Sequence, residues 1–202
     1  MLQGTYGLIL SACGVSIQTN VTREAKVGIE PVDTDLSAGK AGMLGTRTGD
    51  DSGVVTLSEG HGVQTGNKVD LYDTAGAVVR YGLDATVAGN DVTLDGGEGD
   101  ALPAQGAAVV VSVQVTLDVT FDGDNLVMIG AQAERRSHLQ FVDAGGATLE
   151  AVELGAGEAW AWVADTGAAN PLSGNAVAAV KASCGESEGE SNIKLTGLQY
   201  AA

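Results

Sequence analysis

Between Val109 and Phe121 apolar and polar residues alternate almost without a break. Val111, Val113, Val115, Leu117, Val119 and Phe121 fall on one parity, and Ser112, Gln114, Thr116, Asp118 and Thr120 on the other. Successive side chains of a strand point to opposite faces, so the run predicts a β-strand with one buried and one wet side. It is roughly twice the usual length of about 5–6 residues. It is therefore either one ribbon reaching beyond its own domain or two collinear strands joining two domains, and both alternatives point to architecture rather than catalysis.

The same pattern organises the rest of the chain. Residues 5–30 alternate loosely through Leu8, Leu10, Val15, Ile17, Thr19 and Val21, which predicts two or three strands turned at Cys13-Gly14 and near Thr22-Arg23-Glu24. A glycine-rich link, Ser37–Gly42, follows. Next come short strands at Gly53–Leu57, Lys68–Tyr72, Val78–Leu83, Ala85–Val87 and Asp91–Leu94, separated by Asp/Gly/Asn turns. Five short strands so spaced predict a small β-barrel that closes its own edges. Beyond the long run, strands are predicted at Leu126–Ala133, Ser137–Val142, Ala147–Leu154, Ala159–Val163, Val177–Ala182 and Ile193–Tyr200. Six strands are few for two sheets, and residues 5–30 are taken to supply the missing ones. The expected fold is all-β: an antiparallel, jelly-roll-like β-sandwich made discontinuously from residues 1–44 and 116–202, with residues 45–115 as an inserted small β-barrel. Asn170–Val180 suits either a helical turn or a strand.

Composition supports a loop-punctuated β protein: 202 residues hold 30 glycines, 3 prolines and 44 % hydrophobic residues. A formal charge of −16 argues against gripping nucleic acid through its phosphates, which needs clustered Lys and Arg. It suits a protein that lets DNA pass without sticking or stays soluble in many copies. The start of the chain has the apolar patch Leu8-Ile9-Leu10 but no basic leader or membrane-length run, so a soluble protein made in the cytoplasm is expected, with no membrane partner.

Candidate chemistry is sparse. Cys13 and Cys184 have no metal-ligand spacing and would pair only if the terminal strands are neighbours; two isolated buried thiols are expected. His61 lies in a glycine-flanked turn where its ring most simply caps backbone groups. His138 follows Arg135-Arg136, a pair able to neutralise some of the excess carboxylates. No GxSxG, HExxH or Walker A pattern occurs, so no catalytic residue, metal or cofactor is assigned. Three acidic loops, at Asp50-Asp51, Asp95–Asp100 and Asp122–Asn125, invite calcium but lack EF-hand spacing and read as ordinary turns. Trp160 and Trp162 share a face, as core or subunit interface or as a sugar-stacking platform.

The stretch His61-Gly62-Val63-Gln64-Thr65-Gly66-Asn67 resembles the His-Gly-x-x-Thr-Gly-Asp lead into a strand found in small β-barrel modules of tailed-bacteriophage virion proteins, with Asn67 in place of the usual Asp. With Tyr81-Gly82-Leu83, Asp95–Pro103 and Asn170–Gly174, the chain is similar to β-rich structural proteins of that class. The resemblance implies a non-enzymatic, homo-oligomeric virion component whose partners are itself and other virion proteins. Within that class, a tail-tube subunit is the leading expectation: the long strand would bond to neighbouring subunits through an interface of Val111, Val113, Val115, Leu117, Asp118, Trp160 and Trp162, with Asp118 toward an acidic lumen. A capsid decoration protein follows, its N-terminal strands clasping neighbours, then a glycan- or receptor-binding module with exposed tryptophans. A hydrolase built on an Asp and His138 ranks last.

Overall fold

The computed structural model describes residues 26–117, 119–122, 124–164, 169–172 and 175–200. The strands expected over residues 5–25, together with Cys13 and Asp118, lie outside the described residues.

The protein is all-β, and its described residues form three sheets. In the first, β1 (Lys26–Leu36) pairs with β15 (Ser191–Tyr200), which pairs with β10 (Leu126–Ala133), which pairs with β13 (Ala159–Val163). The second runs β12 (Thr148–Leu154), β11 (Ser137–Val142), β14 (Ala179–Cys184), β9 (Val115–Leu117), again antiparallel throughout. Numbering these eight strands 1 to 8 along the chain gives sheet orders 1-8-3-6 and 5-4-7-2. That is the two-sheet strand order of a jelly roll, in which two Greek keys fold onto each other. The expected jelly-roll-like sandwich is therefore present; of the segment 5–30 taken to complete it, only residues 26–30 are described, as the start of β1, and the other completing strand is β9, from the end of the long run.

The third sheet lies between strands 1 and 2 of the jelly roll. Its order is β4 (Lys68–Tyr72), β8 (Ala108–Val113), β2 (Lys40–Arg47), β3 (Gly53–Leu57), β6 (Asp91–Asp95), β5 (Val78–Ala88). Pairing of β5 back onto β4 closes a six-stranded barrel, and the two-residue β7 (Glu98–Gly99) adds to β5. The chain enters the barrel at Lys40, because Gly42, with Leu57 and Val55 too close to admit a Cβ, lets β2 pack against β3; the boundary expected at 44/45 falls inside β2. Val78–Leu83 and Ala85–Val87 form one strand, since Asp84 stays in register opposite Asp95.

The long alternating run divides into two strands, one in each unit. β8 is hydrogen-bonded on both sides, to β2 and β4, and β9 is bonded to β14. The break falls at Gln114, whose backbone N–H donates to Lys68 O at 2.9 Å. Val111 belongs to the barrel core and Leu117, Val119 and Phe121 to the sandwich core, so the apolar face changes core where the chain changes domain. In the Asn170–Val180 stretch, Val177 makes an isolated bridge to Phe121 and the strand begins at Ala179.

Candidate functional site: a buried polar junction

Strand β4 explains why a site forms between the two units. Val69 and Leu71 point into the barrel, while Asp70 and Tyr72 point out, and all four are buried. What covers Asp70 and Tyr72 is the outer face of the second jelly-roll sheet. On β11, Leu139 and Phe141 fill the sandwich core, which turns His138 and Gln140 toward the barrel; on β14, Val180 and Ala182 face the core and Ser183 the barrel. β11 is buried along both faces and β14 at its Ser183 end, so there the alternation is not inside against solvent but core against junction.

At the centre is the Asp70 carboxylate, fully buried. Its Oδ2 accepts from Ser183 Oγ and from His138 Nδ1 at 3.1 Å. Its Oδ1 accepts from Gly82 N at 2.9 Å and from Gln114 Nε2 at 2.7 Å. Four donors satisfy a carboxylate, and this is what makes its burial tolerable. Because Ser183 gives its proton to Asp70, the 2.5 Å contact with Tyr72 must run from the Tyr72 hydroxyl to Ser183 Oγ. Burial, and then the adjacent Asp70 charge, push Tyr72 well above the usual phenol range, so it stays a donor. Gln114 Nε2 also donates to Gln140 Oε1 at 2.5 Å, and Gln140 Nε2 to Thr148 Oγ1 at 3.0 Å. The Tyr81 ring covers His138 with centroids 4.8 Å apart. Ser112 Oγ, one residue before the barrel ends, accepts from Cys184 N at 3.2 Å.

Serine, histidine and aspartate thus meet, but in the wrong order for acyl transfer. A nucleophilic serine needs histidine as its base, with the carboxylate behind the ring. Here the carboxylate sits between the two, and the serine proton is already committed to it. Ser183 and His138 are also almost completely buried, out of a substrate's reach. The same bonds link β4 of the barrel to β11 and β14 of the jelly roll.

Of the interface residues expected from sequence, Val111 and Leu117 lie in separate cores, Val113 and Val115 pack partly buried against those cores, and Trp160 and Trp162 pack into the sandwich core. The structure does not bring them to one surface, and the tryptophans form no exposed platform. His138 pairs with Asp70, while Arg135 pairs with Glu186 at 2.8 Å, which holds that carboxyl below the usual range. His61 caps the backbone as expected: Nδ1 accepts from Val63 N at 3.1 Å, leaving Nε2–H to donate to Gly89 O at 3.2 Å. Asn67 Oδ1 accepts from Gln64 N at 2.7 Å, a bond an aspartate oxygen would make equally, which explains why the turn takes either residue. Cys184 is a buried free thiol, raised by desolvation.

The acidic loops are closed by the protein itself. The carbonyls of Gly96, Gly97, Gly99 and Asp100 converge on the Arg80 guanidinium. Arg47 holds Asp50, and Asp122 accepts from Asp124 N and Asn125 Nδ2. Two open clefts, of about 370 and 410 Å³, flank the loop at residues 185–190 and are lined largely by glycines and charged side chains. No described helix is long and apolar enough to cross a membrane.

Sequence reasoning reached His138 but not Asp70, Tyr72, Gln114, Gln140 or Ser183. The available signal was Asp70 within an otherwise strong strand, where aspartate is disfavoured unless something holds it. Compared with known protein families, curated proteins and solved structures, the chain matches none.

Proposed function

We propose that this protein is a non-enzymatic, self-assembling structural subunit of a tailed-phage virion. The observation that carries the proposal is the strand order 1-8-3-6 and 5-4-7-2, a jelly roll, the architecture that recurs in viral capsid proteins. Lectins and cupins share that architecture, and fold alone does not assign function. The surroundings favour the structural role: the barrel covers the outer face of one sheet, the tryptophans are packed inward, and the Ser, His and Asp groups are used to join the two units. The residues of the phage-like motif, His61, Gln64, Thr65 and Asn67, all make hydrogen bonds within the barrel, as a structural module requires.

A tail tube and the capsid surface are the two candidate places in the particle. The tube role relied on residues 109–121 bonding to neighbours, but β8 has partners on both sides and β9 already has one. Decoration of the capsid makes no such demand, and it is the placement we favour, with the barrel as a fixed projection. Light scattering and negative-stain microscopy over a concentration series, with and without undecorated capsids, test the proposal. Discrete oligomers or monomers that load onto capsids support it; tubes or stacked rings move the protein to the tail. A monomer at every concentration that binds no particle would refute the structural role.

A further inference from the structure

We infer that the Asp70–His138–Ser183–Tyr72–Gln114 network is an orientation lock that makes the inserted barrel and the jelly roll a single cooperative, rigid unit. The two apolar cores are separate clusters with no residue in common, so each could in principle form alone. Only two crossings of the backbone join them, at residues 37–39 and at Gln114. Two adjacent crossings are what a hinge would look like.

What opposes a hinge is the chemistry between the units. The network draws from β4, from Gly82 of β5, from Gln114 at the crossing, and from β11 and β14, and every proton in it has one direction. A displacement by one residue, about 3.3 Å along a strand, would strip the buried Asp70 Oδ2 of both its donors, His138 and Ser183, leaving only the bonds to Oδ1 from Gly82 and Gln114. Partial motion therefore costs nearly as much as full separation, so the docked state is discrete. Further bonds clamp the rim: Gly39 N to Glu186 O at 2.8 Å and Val78 N to Glu153 Oε1 at 3.2 Å. A Cβ at Gly185 would stand 2.7 Å from the Tyr72 ring, so the two surfaces meet there without a gap.

The test uses urea unfolding of the whole chain. Its two tryptophans both lie in the jelly roll, so their emission follows that unit, while hydrogen exchange by mass spectrometry on peptides from β3 to β6 follows the barrel. In the wild type both should share one urea midpoint. Asp70→Asn keeps the size, but its amide must turn NH₂ toward one pair of donors. It should lower the melting temperature by about 10 °C and split the two midpoints. Tyr72→Phe removes only the terminal hydroxyl and should fold, with a loss of about 3 °C and a smaller split. Two midpoints in the wild type, or coincident midpoints in every variant that folds, would overturn the lock.

Discussion

The two units solve the same problem with different materials. The barrel core consists of Val, Leu and Ala alone, from Leu44 to Val111, whereas the jelly-roll core is built around rings: Phe141 lies 6.2 Å from Phe121 and 5.9 Å from Trp160, centroid to centroid. Closure explains the difference. A six-stranded barrel satisfies its own edges and encloses a space that aliphatic side chains fill, so backbone hydrogen bonds set its shape. Two open sheets about 10 Å apart are held only by what lies between them, and large rings bridge that gap with the most buried area per residue. Among the described residues the sandwich sheets keep edge strands, and these carry edge-blunting features instead. In β1, Pro31 sits at a bulge and Asp33 and Asp35 are exposed beside it.

Phe141→Ala should be the most damaging core change, about 4 kcal/mol by urea unfolding, because it removes the ring both neighbours pack against. Leu83→Ala in the barrel should cost about 3 kcal/mol, since its neighbours are held by a closed ladder. A barrel loss exceeding the sandwich loss would break the contrast between a core held by rings and one held by closure. Smaller again is the rim. Glu186 is held below the usual carboxyl range by the Arg135 hydrogen bond, so its contribution is present above the unfolded value, about pH 4.3, and disappears as pH falls through the lower folded value. Glu186→Gln should therefore cost at most about 1 kcal/mol at pH 7, as suits a partly exposed pair, with the difference from wild type vanishing in thermal melts near pH 3. Met43→Lys, on the outer face of the barrel, should change stability by less than about 0.5 kcal/mol.

Strand positions were legible because burial on one face writes a period of two into the chain. Gly53–Leu57, Lys68–Tyr72, Leu126–Ala133, Ser137–Val142 and Ala159–Val163 stand where alternation and turn residues put them. β2 was not, because Lys40-Ala41-Gly42 looks like a linker until Leu57 and Val55 press against Gly42. The junction was legible least of all. A polar residue facing water and a polar residue facing another domain's polar residue leave the same mark in a strand, and Asp70 and Ser183 are 113 residues apart.

Taken alone, the chain determined an all-β protein, an inserted barrel and an acidic character, since these depend on local periodicity, turn chemistry and charge, which are read residue by residue. Tertiary structure alone decided that the long run divides at Gln114, that the tryptophans turn inward, and that Asp70, His138 and Ser183 meet. Each of these depends on which of two equivalent strand faces a distant segment covers, and period-two alternation carries no information about that choice.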